Sequence, residues 1–451
     1  MANVNNSGER EQWGSKIGFI LAAAGSAVGL GNLWKFPYMA GKNGGGAFVL
    51  VYFVMLFLVG FTLMLAEIVV GRHTQLNAIG AYRKIRKNWA WVGALGVLAG
   101  FIILSFYSVV GGWVTAYLVK ALSGGLKITD AQTLGNMFGQ LISDARTPIF
   151  YHAIFMIATL LIVYGGIGGG IEKASKIMMP ALFIIIIILV LRSVTLPGAF
   201  KGIEYLFVPD FSKINIGVIL DALGQVFFSL SLGMGCMITY GSYLSKDTNI
   251  PESAVTIPLI DTAVALLAGL AVLPAVFAFG FEPAAGPGLV FITFPAVFAK
   301  MPLGGIFSIL FFVLVLFAAL TSSISLLEVV VAYVVDEWKI KRKIATVALA
   351  FIIFLIGIPA SLSFGPWAHI KVLGDRGFFD TYDFISSNIL LPLGGLLLCI
   401  FVGWVWGTDK AVKEASNDGQ LEFKLAPFWS FLVKYVAPVA IAIVFVRSLI
   451  G

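Results

Sequence analysis

Apolar runs of about 20 residues, the length of a helix that crosses a bilayer, recur from one end of the chain to the other with short polar breaks between them. The pattern predicts eleven membrane spans: 16–42, 47–71, 89–122, 148–164, 174–196, 214–244, 252–280, 303–335, 344–358, 382–406 and 427–450. The expected fold class is therefore all-α and integral to the membrane, with residues 1–451 forming a single transmembrane domain. Two loops, 123–147 and 359–381, are long enough to hold short helices or lids.

Composition agrees with this reading. Of the 451 residues 59% are hydrophobic and 12% charged, against about a quarter charged in a soluble domain. The net charge of +7 calls for no nucleic acid, because the basic residues cluster beside spans. Arg72, Arg83, Lys84, Arg86 and Lys87 follow span two, Lys173 and Lys176 follow span four, and Lys339, Lys341, Arg342 and Lys343 follow span eight. Alternate loops share a side, and the positive-inside rule makes that side cytoplasmic. The protein is expected in the cell membrane, with lipid around it, its N-terminus inside and Gly451 outside.

The first fifteen residues are polar and show no cleavable leader. The two cysteines, Cys236 and Cys399, lie inside apolar runs and read as packing residues. His73, His152 and His369 fall at loops or span ends and form no nucleophile–base pair or metal cluster. No hydrophilic catalytic module is evident, so an enzyme is not expected, nor is an obligate protein partner.

Span one carries Gly29-Leu30-Gly31 and span six carries Gly233-Met234-Gly235, both at mid-membrane. A single pair of this kind serves close helix packing as readily as anything else. Matching interruptions five spans apart instead point to an inverted-repeat carrier, whose broken helices offer carbonyls to cations and helix N-termini to an anion. Residues 16–196 would form the first repeat and residues 214–406 the second, with span eleven (427–450) outside both.

Four segments then carry a resemblance to the neurotransmitter:sodium symporter family in its bacterial amino-acid branch. They are Gly25-Ser26-Ala27-Val28-Gly29-Leu30-Gly31-Asn32 with Lys35-Phe36-Pro37; Asn43-Gly44-Gly45-Gly46-Ala47-Phe48; Gln225-Val226-Phe227-Phe228-Ser229-Leu230-Ser231-Leu232-Gly233; and Leu320-Thr321-Ser322-Ser323. The similarity covers nearly the whole chain. It implies the 5+5 inverted-repeat fold of the leucine transporter, with helices one and six unwound at mid-membrane, and sodium-coupled symport of small, largely hydrophobic L-amino acids.

The resemblance implies two sodium ions. The first would meet the Ala27 carbonyl, Asn32, Ser229 and Asp261; the second the carbonyls of Gly25, Val28 and Ala318 with the hydroxyls of Thr321 and Ser322. Many members of the family have an amide where this chain has Asp261. Tyr52, Gln225 and Ser229 match part of the family's chloride site, but Ala265 stands where the remaining hydroxyl is expected. No chloride is expected, because Asp261 supplies the charge.

The substrate carboxylate would lie at the N–H groups of Leu30 and Gly31, where a half-helix N-terminus favours an anion, with the Tyr107 hydroxyl as a further donor. The amine would face the carbonyls of Ala27 and Phe228, and Gly29, where monoamine carriers have an aspartate, argues for amino acids. Ser26, Ile103, Ser231, Met234, Ser322 and Leu326 would line a mostly apolar side-chain pocket. Met234 reads equally as core filler or as an adaptable wall that admits aromatic substrates.

The gates implied are Lys35 with Asp383 on the outer side, Tyr107 and Phe228 as a lid, and Arg10, Trp13, Ser242, Tyr243 and Asp336 on the inner side. Gly170 and Pro180 match a spacing that accompanies unwinding of helix five, although Pro180 also reads as an ordinary kink. Glu67 is suited to accepting free N–H groups from the unwound part of span six, and Glu328 to facing the cytoplasmic pathway. The rival readings are a proton-coupled or exchange carrier with Asp261 as the proton site, and a non-transporting amino-acid sensor.

Overall fold

A computed structural model of the protein describes residues 10–280 and 287–450. Expectations placed on residues 1–9 and on Gly451 lie outside the described residues. The described chain is helical, with only two isolated β-bridges.

The helices are α1 (Lys16–Ala27), α2 (Gly31–Lys42), α3 (Gly46–Thr74), α4 (Ala78–Ile85), α5 (Lys87–Leu122), α6 (Ala131–Ser143), α7 (Thr147–Tyr164), α8 (Ile167–Val194) and α9 (Phe200–Phe207). They continue as α10 (Ile216–Ser229), α11 (Cys236–Gly241), α12 (Ile250–Ala278), α13 (Leu289–Ala299), α14 (Gly304–Trp338), α15 (Arg342–Leu362), α16 (Phe378–Ala415) and α17 (Ala426–Leu449). Starts are set by side chains that accept orphan N–H groups. Ser15 accepts from Gly18, Asn77 from Gly80, Asp130 from Thr133, Asn215 from Val218 and Asn249 from Glu252.

Among the described residues nine helices are long and apolar enough to cross a membrane, and α1 with α2 makes a tenth span bent by 55°. The remaining expected span, span six (214–244), is not one helix. It is α10 and α11, separated by the turn at residues 230–235. Span ten is longer than the expected 382–406, because α16 runs on to Ala415. The short helices α9 and α13 carry too weak a pattern to be read from sequence, whereas α6 falls in the loop expected to hold one.

The long helices α5 and α14 pack along each other, with α7 and α15 beside them. Against this scaffold sit α1 and α11, with α3 and α12 packed on them. The basic loops gather at one end: Arg10 pairs with Asp336 at 2.7 Å, Arg83 with Glu337 at 2.5 Å, and Arg72 with Glu414 at 2.9 Å. The Ser448 hydroxyl donates to the Asn388 carbonyl at 2.9 Å, near the start of α16. Since Glu414 lies at the far end of that same helix, residues 10 and 448 occupy opposite ends of the bundle.

Candidate binding site and gates

The two breaks face each other at the centre. The first opens because Val28 takes extended ψ of 106° after α1. The second is held by Ser231, Gly233 and Gly235, all at positive φ. Only glycine suits position 233, where a Cβ would lie 2.4 Å from the Leu391 carbonyl oxygen. Glu67, buried on α3, accepts the free N–H of Gly233 at 2.7 Å and of Met237 at 3.2 Å. The break is thus stabilised by a carboxylate on a neighbouring helix, the arrangement that an exposed helix terminus in a bilayer requires.

Beside the first break, Asp261 on α12 forms a wholly buried polar cluster. The Ser229 hydroxyl donates to its Oδ2 at 2.8 Å, the Asn32 Nδ2 to its Oδ1 at 2.8 Å, and the Tyr52 hydroxyl lies 3.4 Å from Oδ2. The Asn32 side-chain oxygen, expected to face a cation, accepts instead from the Gly29 N–H at 3.0 Å. A carboxylate draws the amide's donor end, because a carbonyl oxygen facing it would set two acceptors together. The carboxylate and hydroxyl oxygens here, with the Ala27 carbonyl, are hard ligands suited to an alkali cation. No grouping of three His, Cys, Asp or Glu that would hold a transition metal occurs among the described residues.

A second oxygen-rich point lies where α14 meets the end of α1. The Thr321 hydroxyl is 3.0 to 3.5 Å from the carbonyls of Phe317, Ala318 and Val28, and the Ser322 hydroxyl is 3.3 Å from the Val28 carbonyl. Gly25 lies against Thr321, where an added Cβ would come within 3.1 Å of it.

Every side chain expected to meet a substrate lines one enclosed cavity between the two breaks: Ser26, Ala27, Gly29, Leu30 and Gly31 from the first, Phe228, Ser229, Ser231 and Met234 from the second, and Ile103, Tyr107, Ser322 and Leu326 from the scaffold. A side chain at position 29 would meet the Ser322 Oγ at 2.7 Å and the Tyr107 hydroxyl at 3.3 Å, so a glycine keeps the space open. The Tyr107 hydroxyl is buried; its oxygen lies close to the Ser322 hydroxyl and the Leu30 N–H, but no hydrogen bond of ordinary geometry meets it among the described residues. Such a donor is costly unless a ligand meets it. Sequence reasoning missed Phe106, Ser387 and Leu391 in the lining. Phe106 was accessible as the helical neighbour of Ile103, but no motif marks the two residues of α16.

The residues expected at the inner gate come together. Arg10 reaches Asp336 and donates to the Ser242 hydroxyl at 2.7 Å, while its guanidinium lies 4.6 Å from the Tyr243 ring centre. Trp13 donates through Nε1 to the Tyr240 carbonyl at 2.9 Å. Glu328, fully buried, is paired with Arg342 and accepts from the Tyr243 hydroxyl at 2.6 Å. Glu172, which sequence reasoning did not single out, accepts from the Gly14 N–H at 2.7 Å, the Ser15 hydroxyl at 2.9 Å and Lys176 at 2.6 Å.

Two expectations are corrected. Lys35 and Asp383 form no direct ion pair among the described residues, although Asp383 and Asp221 still act on the ammonium electrostatically. The Lys35 ammonium instead lies 4.3 Å from the Phe228 ring centre, and Asp383 accepts from the Ser387 hydroxyl one turn on at 2.7 Å. Lysine lacks the forked reach of arginine, and an aromatic face satisfies it nearby. The interval from Gly170 to Pro180 is not unwound: it is helical throughout, opening with a π-helical turn at Ile167–Glu172. Glu172 fastens this segment to the start of α1, and a proline costs one helical bond without breaking the run.

Broken helices at mid-bundle, a carboxylate–hydroxyl cluster and an enclosed central cavity define a carrier of the leucine-transporter fold. The profile of the Sodium:neurotransmitter symporter family matches residues 10–138 and 137–451, and the chain belongs to that family, which consists of sodium-coupled transporters and not enzymes. It is 46% identical to the sodium-dependent transporter YhdH of Bacillus subtilis (strain 168), over 98% of each chain. It is 40% identical to a sodium-dependent transporter of Haemophilus influenzae, over 99% of this chain and 100% of the relative. The serotonin transporter of Drosophila melanogaster is 27% identical, over 98% of this chain and 77% of its own. The crystal structure of MhsT in complex with L-phenylalanine matches with a TM-score of 0.89 and 46% identity, over 98% of this chain and 100% of that one.

Proposed function

We propose that the protein carries neutral, largely hydrophobic L-amino acids, aromatic ones included, into the cell by symport with two sodium ions and without chloride. The observation that carries this reading is the Tyr107 hydroxyl, buried in the central cavity close to the Leu30 N–H and the Ser322 hydroxyl, with no hydrogen bond of ordinary geometry among the described residues. Its proton has room for an acceptor beside the start of a half-helix, which suits a carboxylate. The phenylalanine in MhsT supports the substrate class. The walls of Ile103, Phe106, Met234 and Leu326 are apolar and hold no charge that would compensate a charged side chain.

Sodium one would be held by Ala27, Ser229 and Asp261, and by the Asn32 side-chain oxygen through its second lone pair, with the substrate carboxylate, so each stabilises the other and the coupling is reciprocal. Sodium two would be held by Gly25, Val28, Ala318, Thr321 and Ser322. The fixed charge of Asp261, already within reach of Tyr52 and Ser229, supports chloride independence. Residues 16–196 and 214–406 would act as the two repeats, with α1, α3, α11 and α12 rocking against the α5–α14 scaffold. The end carrying Arg10 and Asp336 would face the cytoplasm of a plasma-membrane protein and residue 448 the outside. Each positive charge moved inward across 100 mV gains about 2.3 kcal/mol, enough to drive accumulation.

The test is uptake of radiolabelled phenylalanine and leucine into proteoliposomes under an inward sodium gradient. Uptake should persist when gluconate replaces chloride and vanish when potassium replaces sodium. Uptake that follows a pH gradient without sodium would transfer the coupling role of Asp261 to a proton and overturn the symport reading.

A further inference from the structure

A second cavity, of about 520 Å³, lies at the end of the bundle remote from Arg10, between the last turn of α5 and the start of α14. Its size falls in the range of ligand sites, and it shares no residue with the central cavity. Three features of its wall bear on what it takes. Ser308 is 3% exposed and lines the cavity, and its hydroxyl has no hydrogen-bond partner among the described residues. Lys127 lines the same cavity, and no acidic residue does. The first turn of α14, a helix of 35 residues, forms one side through Gly304 and Gly305, setting the positive end of the helix dipole at the wall.

The surroundings fix the kind of molecule. Leu122, Leu303 and Ile306, also in the lining, are 64%, 71% and 55% exposed. In a membrane protein such side chains lie against acyl chains. Both spanning helices end at this level, so the cavity sits where a lipid headgroup meets its tails. A buried donor, a lysine and a helix N-terminus inside, with apolar residues outside, complement an anionic phosphate carried on hydrocarbon.

We propose that this cavity binds one anionic phospholipid, its phosphate held by Ser308, Lys127 and the start of α14 and its acyl chains along Leu122 and Ile306. The full-length protein, taken from vesicles of mixed phosphatidylglycerol and phosphatidylcholine and weighed intact by native mass spectrometry, should retain phosphatidylglycerol in preference. Ser308→Ala and Lys127→Gln should each weaken retention about tenfold, the loss expected for one hydrogen bond to a charged group. Gly305→Leu should abolish it, because a Cβ there meets nothing within 4 Å and the added side chain fills the space. Sodium-dependent phenylalanine binding, measured on the same variants, reports whether each has folded, since none of the three residues lines the central cavity. Equal retention by wild type and all three variants overturns the proposal, as does equal retention of phosphatidylcholine. Release of the lipid by inorganic phosphate alone would make the site one for a free anion and overturn the lipid assignment.

Discussion

Asn32 and Asp261, 229 positions apart in sequence, meet at 2.8 Å in the centre of the molecule. The contact joins the broken first span to α12, so the Asp261 cluster and the break are parts of one network. A carboxylate so deep in a spanning bundle is costly to keep unless it does something there.

Asp261→Asn should keep the shape and remove the charge. Sodium-driven uptake should fall at least about tenfold, the loss expected when a charge-assisted contact becomes neutral, and chloride should partly restore it. Uptake of labelled phenylalanine in chloride and in gluconate tests this. Full activity of the variant in gluconate would remove the built-in charge from the explanation.

Tyr107→Phe separates binding from folding. The hydroxyl makes no hydrogen bond of ordinary geometry among the described residues, so its loss should change the melting temperature in detergent little while the KM for uptake rises about tenfold. A fall in melting temperature with unchanged KM would assign the hydroxyl a packing role.

Glu67→Gln should do the opposite. Each amide group offers one acceptor where two N–H groups must be met, and leaving one unpaired costs about 1–3 kcal/mol. Thermal unfolding followed by the fluorescence of a thiol-reactive dye should shift downward, most strongly through exposure of Cys236, which begins α11.

Arg10→Ala should loosen the inner gate. Its partners Asp336 and Ser242 lose their common cation at a partly buried site, where the pair is worth more than the about 0–1 kcal/mol of an exposed one. Hydrogen exchange should therefore speed up along α1 more than elsewhere in the bundle. Unchanged exchange there would mean that Glu172, which holds Gly14 and Ser15, closes the gate by itself.

Lys35→Ala should free the Phe228 ring from the cation above it. Phenylalanine should then dissociate several-fold faster, consistent with a contact of about 0.5–1 kcal/mol at a partly wet site. A rapid-dilution measurement of bound label decides this.

The cavity lining was legible in sequence wherever it sits in a motif: the glycine-interrupted stretch from Ser26 to Gly31, the run Phe228 to Met234, and Ser322 all converge as expected. Ser387 and Leu391 were not legible, because they enter the cavity from a span whose local pattern is merely apolar. The gates divide in the same way. Arg10 and Asp336 meet as anticipated, whereas Lys35 turned to an aromatic ring, a choice between two neighbours that residue identity cannot make.

By itself the sequence determined that the chain is helical, spans a membrane many times and breaks two of its spans at glycines, since run length, charge and missing side chains are local properties. Tertiary structure decided the rest. The pairing of Glu67 with the N–H groups of Gly233 and Met237, the turning of the Asn32 amide toward Asp261, the unbroken helix from Gly170 to Pro180 and the Glu328–Arg342 pair each depend on which groups face one another once the helices pack. A buried polar group takes whatever partner the packing brings within 3 Å or so, and that geometry is written in no single segment.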